Sequence, residues 1–131
     1  MKLLLDTSVF LWLMSDPKKL SSSTLQACQN ESNTLILSAV SIWEIQIKHQ
    51  RGKLELDVPL AEIIKNQIQL GTVTFLPITH NHILDIYSLP FFHQDPFDRL
   101  LIAQARIEVA TLVTTDATIL ASYHSLVSTL N

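Results

Sequence analysis

Asp6 and Asp116 each close a short apolar run, Met1-Lys2-Leu3-Leu4-Leu5 and Thr111-Leu112-Val113-Thr114-Thr115. Runs of this length and character are what buried parallel strands are made of. In an open α/β sheet, ligands sit in the crevice beyond the carboxyl ends of the strands. Two carboxylates delivered there by different strands can share one site. Clustered carboxylates are costly unless protons or a cation neutralise them, so the chemistry they suggest is the binding of a hard cation.

Two more acids sit in awkward surroundings. Glu44 lies within Val40-Ser41-Ile42-Trp43-Glu44-Ile45-Gln46-Ile47, a helical segment apolar on several sides. Its alternative use is a surface pair with Lys48, four residues on. Asp98 shares a helical face with Leu101, Ile102 and Ala105. Asp95, one turn earlier, is the natural N-cap before Pro96. Arg99 can pair with Asp95 or reach toward a phosphate, and spacing does not decide between them. Asp6 and Asp116 are N-cap candidates too, but one carboxylate oxygen can cap while the other binds a cation. Thr7, Ser8 and Thr115 lie beside these acids and can orient water or ligands. Hard oxygen donors suit Mg²⁺ or Mn²⁺ rather than zinc. The remaining acids, among them Asp16, Glu55 and Glu62, fall in loops or on polar helix faces.

The elements that must position this set follow from periodicity and stop signals. Leu3–Leu5 reads as the first strand and Ser8–Met14 as a helix ended by Asp16-Pro17. Ser21-Ser22-Ser23 offers caps for a helix to about Asn30, and Leu35–Leu37 is a second strand. Ser38 can cap a helix to about Gln50, broken at Gly52. Pro59 starts a helix that closes at Leu70-Gly71, and Val73–Leu76 is a strand. Thr79–Ser88 reads as helical, Leu89–His93 as a loop. From Pro96 a strongly amphipathic helix runs through Ile107. Thr111–Thr115 is a strand, Ala117–Ser122 a short helix, and the tail can add an edge strand. Strands alternating with helices over short connections imply a three-layer α/β/α fold around a mainly parallel sheet. Residues 1–131 are expected to form one domain.

Composition narrows the function classes. With 131 residues and 47% apolar content, the chain can build a proper core. The net charge of −3 argues against broad electrostatic affinity for nucleic acid. It leaves a metal-dependent nuclease open, because bound cations reverse the local field. One cysteine, Cys28, excludes an intramolecular disulfide and fits a reducing compartment. No stretch is long enough to span a membrane, and Leu3-Leu4-Leu5 meets an acid at once. A cytoplasmic protein is therefore expected.

The order of these motifs resembles the PIN-domain ribonucleases, particularly the toxins of VapBC-type toxin–antitoxin systems. The resemblance rests on Leu4-Leu5-Asp6-Thr7-Ser8, then Ser38-Ala39-Val40-Ser41-Ile42-Trp43-Glu44-Ile45. It continues through His93-Gln94-Asp95-Pro96-Phe97-Asp98-Arg99-Leu100-Leu101-Ile102-Ala103-Gln104-Ala105 and Leu112-Val113-Thr114-Thr115-Asp116. The third block is the specific one, and the four in order span nearly the whole chain. The resemblance implies that Asp6, Glu44, Asp98 and Asp116 form the catalytic, metal-holding site, with Asp95 as an auxiliary acid. It further implies Mg²⁺- or Mn²⁺-dependent RNA cleavage by water, leaving 5′-phosphate and 3′-hydroxyl ends. Homodimerisation and inhibition by a small antitoxin come with it. Lys48 and Arg99 are the basic residues placed to contact substrate.

The rival possibilities are weaker. His80-x-His82 with His93 lacks the spacing and the further ligands of a zinc site. Asp-nucleophile phosphatases need a second acid two positions after the first, where Ser8 stands. His93 reads as a packed or exposed loop residue, and Trp12 and Trp43 as core or interface residues. The main alternative is a catalytically silent PIN scaffold that binds RNA or a partner protein. Exposed-looking Phe91 and Phe92 suggest a protein interface, with a homodimer the expected occupant.

Overall fold

In the computed structural model, which describes residues 1–131, β1 (Lys2–Leu5) is the centre of the sheet. Its side chains alternate between faces as strand geometry requires. Leu4 joins a cluster with Ile36 and Leu112, while Leu3 and Leu5 join another with Leu37 and Val113. All are buried, so the run reads as continuously apolar because both faces are covered.

Five strands stand in the order β3-β2-β1-β4-β5, all parallel, with β2 at Thr34–Ser38, β3 at Thr74–Leu76, β4 at Thr111–Val113 and β5 at Thr129–Leu130. The chain builds outward from β1 through β2 to β3, then returns to the other side of β1 for β4. That reversal creates a switch point at the carboxyl ends of β1 and β4.

Helices cover both faces, confirming the three-layer arrangement. One core cluster holds α1 (Thr7–Ser15) residues Val9 and Phe10, with Ile45 of α3 (Ala39–Gln50). The α4 helix (Leu60–Leu70) and Cys28 of α2 (Ser22–Gln29) pack beside it. The other cluster holds Leu101, Ile102 and Ala105 of α6 (Pro96–Ile107), with Ile119 of α7 (Ala117–Ser122). Burial pushes the Cys28 thiol up, consistent with a packing role. No helix is long and apolar enough to cross a membrane.

Most boundaries agree with the sequence to within two residues. Thr79–Ser88 divides into α5 (His80–Asp85) and a 3₁₀ turn at Ile86–Ser88. A short 3₁₀ turn also forms at Pro17–Lys19. The fourth strand stops at Val113, two residues early, so Thr114 and Thr115 belong to the strand-to-helix turn. Gly71 ends α4 in the left-handed region at φ 63°, as a glycine there should. After α6 the same conformation falls on Val109, at φ 52°, where a β-branched residue is strained.

Candidate active site

Asp6 leaves β1 directly into α1 and caps it, accepting the Thr7 N–H at 2.6 Å. Its other oxygen accepts the Thr114 hydroxyl at 2.7 Å from the neighbouring strand exit. Thr114 is fully buried and its Oγ1 accepts the Asp116 N–H at 3.0 Å. One threonine therefore ties together the two acids at the switch point. Thr115, the residue singled out from sequence, is exposed. Both threonines lie in the turn after β4, where Thr114 is buried against Asp6 and Thr115 faces solvent.

Asp116 caps α7 by accepting the Ile119 N–H at 2.9 Å through Oδ1. Asp95 caps α6, accepting Phe97 N–H at 2.9 Å and Asp98 N–H at 3.4 Å. Its charge lies close enough to raise both the Asp98 carboxyl and the Lys48 ammonium.

Glu44 is only 4% exposed, and each of its oxygens has a partner. Oε1 accepts the Thr7 hydroxyl at 2.7 Å, and Oε2 pairs with the Lys48 ammonium. The Thr7 hydroxyl also lies 2.9 Å from that of Ser41. Thr7 thus orients an acid from below, whereas Ser8 is exposed and makes no side-chain hydrogen bond. Lys48 keeps about half its side chain in solvent, and its bond to Glu44 raises its ammonium above the ordinary value.

The carboxyls feel one another. Burial raises Asp6, and repulsion from Glu44 and Asp116 adds to it against the Thr114 and Thr7 donors. Asp98 is pushed up to about 7, by burial first and then by the charges of Asp6 and Asp95. Burial works to raise Asp116 as well, but the Ile119 N–H and His93 outweigh it and hold the carboxyl low. Asp98 and Asp116 come within 4.8 Å of each other beside His93, and the charges of Asp6 and Glu44 are felt by this group. Its charge is undercompensated, and its donors are hard oxygens that fit a small divalent cation.

Arg99 is placed elsewhere. It is 5% exposed, and its guanidinium donates to the backbone carbonyls of Pro90 at 2.9 Å, His93 at 3.2 Å, and Ile86 and Leu89 at 3.3 Å. Phe91 stacks on it with 4.2 Å to the ring centroid. Four of its five N–H donors are committed to the 86–93 turn and loop. The structure thus gives Arg99, expected to contact substrate, a clamping role on this loop.

His93, read from sequence as a packed or exposed loop residue, stands in the acidic site. Nε2 donates to Asp116 Oδ2 at 3.1 Å and lies 3.0 Å from Asp98 Oδ2. Its position two residues before the capping Asp95 was the available signal. By contrast His82 is buried in a hydrogen-bond network with Glu108 and Gln104, and His80 is exposed, so no zinc site forms there. Trp43 is half-exposed and meets Phe97 edge-on at 4.9 Å.

Comparison with known proteins converges on one family. A model described as "PIN domain" matches residues 3–123. Ribonuclease VapC22 of Mycobacterium tuberculosis is 29% identical over 114 residues, covering 86% of this chain and 85% of the relative. The fold superposes on VapBC2 from Rickettsia felis, bound to a DNA fragment from its promoter, with a TM-score of 0.71. That match has 17% identity and covers 100% of this chain and 98% of the other. FitAcB from Neisseria gonorrhoeae gives 0.65 at 17% identity, over 98% and 96% of the two chains.

Proposed function

The chain belongs to the PIN-domain family, and from that premise we propose that it is a Mg²⁺- or Mn²⁺-dependent endoribonuclease, the toxin of a toxin–antitoxin pair. What supports this most is the convergence of Asp6, Glu44, Asp98 and Asp116 at the switch point. The Asp98 carboxyl there is pushed up to about 7 by burial and by like charge that nothing in the chain fully offsets. The ribonuclease name of the VapC22 relative, at 29% identity, points to the same chemistry.

Each residue has a task in this scheme. Asp6 and Asp98, both raised by burial first and by neighbouring charge second, would hold the cation. Asp116, tied to Asp6 through Thr114, completes the pocket. Glu44 is pinned by Thr7 and Lys48, so it presents a fixed acceptor for water approaching the scissile phosphodiester. Lys48, half in solvent at the rim, is the cation within reach of an RNA phosphate. Asp95 supports the site as a cap and a nearby charge. A divalent ion bound here supplies charge neutralisation of the phosphodiester and acidification of water. No other nucleophile is assembled, since the imidazole of His93 faces carboxylates rather than a hydroxyl or thiol.

Ala39, Ile42, Trp43, Leu60 and Ile64 line an apolar trough between α3 and α4, on the side of α3 turned away from Glu44. We assign this trough to an antitoxin segment. Phe91 and Phe92 remain 80% and 58% exposed, and we assign them to a homodimer contact. The single cysteine fits action in the cytoplasm.

The test is cleavage of an RNA panel with Mg²⁺ or Mn²⁺, with and without EDTA, by wild type, Asp6→Asn and Asp98→Asn. Cation-dependent cleavage by wild type, lost in both variants, is expected. Equal inertness of all three while RNA still binds would replace the nuclease by a silent binding scaffold.

A further inference from the structure

The loop that carries His93 is held with unusual rigour for an exposed connection. Besides the Arg99 clamp, the Tyr123 hydroxyl donates to Pro90 O at 2.6 Å and accepts the His93 N–H at 2.9 Å. Tyr123 is itself fully buried. The backbone of His93 is therefore fixed from two sides, by α6 and by the end of α7.

The ring is fixed as well. Nδ1 accepts the backbone N–H of Asp95 at 3.1 Å. A nitrogen that accepts carries no proton, so the proton of the neutral ring sits on Nε2. That Nε2–H bonds Asp116 Oδ2 at 3.1 Å, with Asp98 Oδ2 3.0 Å from the same nitrogen. His93, Asp98 and Asp116 place one donor atom each within 4.8 Å of one another, which by distance alone would suit a metal ligand. The tautomer opposes that use. Ligation through Nε2 needs its lone pair, which moves the proton to Nδ1 and sets it against the Asp95 N–H.

We propose that His93 is a positioning residue of the acidic site: its Nε2–H draws Asp98 and Asp116 together from outside the cation's coordination shell. This rests on the metal-site assignment above. Two carboxylates on separate helices repel and would otherwise settle in rotamers turned from each other. The N–H bonds Asp116 Oδ2 and lies against Asp98 Oδ2; since Asp116 Oδ1 already caps α7, Asp98 Oδ1 is the oxygen left open to a cation. For Asp98, Oδ1 has no protein partner. Carboxylate ligands are commonly oriented by such outer partners, whose loss lowers metal affinity about 10- to 100-fold.

The test combines MnCl₂ titration calorimetry of wild type, His93→Ala and His93→Gln with two spectroscopic readouts on the full chain. Long-range ¹H–¹⁵N correlation reports the ring tautomer, and electron spin echo modulation of bound Mn²⁺ reports any directly bonded nitrogen. The expected results are an Nε2–H ring with and without cation and no directly bonded nitrogen. His93→Ala should bind Mn²⁺ about 10- to 100-fold more weakly, with most of the loss restored by the amide N–H of His93→Gln. An Nδ1–H ring with a bonded nitrogen would make His93 a ligand and overturn the proposal. Equal Mn²⁺ affinity of wild type and His93→Ala would overturn it while leaving the metal site intact. If folded wild type binds no Mn²⁺, the metal site itself fails, and the role of His93 with it. The wild-type spectra decide even if His93→Ala does not fold.

Discussion

Asp98→Asn should make the metal-free protein more stable, and increasingly so as pH rises. Asp98 titrates near 7 in the folded chain against an ordinary value of 3.8, because burial and the charges of Asp6 and Asp95 oppose its ionisation. The unfolded chain loses this proton near pH 4, while the folded chain keeps it to about pH 7. Across that window the unfolded state binds fewer protons, so the wild-type stability falls as pH rises and levels off above 7. The full difference is roughly 4 kcal/mol, of which part is already lost by pH 5 and part is screened at the partly open site. The advantage of the isosteric, uncharged Asn should therefore grow by about 2 kcal/mol between pH 5 and pH 8. For a chain of 131 residues this is a relative rise in Tm of roughly 6–10 °C. Urea and thermal unfolding of both proteins in EDTA at the two pH values measure it. A pH-independent difference, or a less stable variant at pH 8, would refute the claim that Asp98 bears uncompensated charge.

Three further outcomes follow from named contacts. Arg99→Met leaves up to four carbonyls without their donor and frees the His93 loop, and should cost about 2–4 kcal/mol in urea unfolding, with a matching loss of activity. Thr114→Val removes the donor to Asp6 and the acceptor for the Asp116 N–H, and should cost about 1–3 kcal/mol with weaker cation binding by calorimetry. Val109→Gly relieves a left-handed residue on an exposed turn and should stabilise by about 1 kcal/mol in denaturant melts, with no change in activity.

The acids were legible because their misfit is local. Asp6 and Asp116 end apolar runs, and Asp98 interrupts an apolar helical stripe, so strand and helix periods alone mark them. Glu44 kept two readings; the structure shows the pair with Lys48, with the carboxyl buried rather than on the surface. The partners of these acids were not legible, for a common reason. Arg99 shows its charge in the sequence, but the four carbonyls it serves come from a loop whose return path no period encodes. His93 reaches Asp116 across 23 positions, through that same loop. The choice between Thr114 and Thr115 is made in the turn after β4, beyond the reach of strand alternation. The sheet order was legible only as a class, since β1 and β4 pair across more than a hundred residues.

Four acids from separate segments, acting as one site, would hold a divalent cation between them. Anomalous diffraction from crystals of the protein equilibrated with Mn²⁺ tests it most directly. The expected result is a manganese peak at the carboxyl ends of β1 and β4, about 2.0–2.3 Å from oxygens of Asp6 and Asp98 and absent in Asp6→Asn. Crystals that bind Mn²⁺ elsewhere while these acids keep only Lys48, His93 and the two threonines as partners would contradict it.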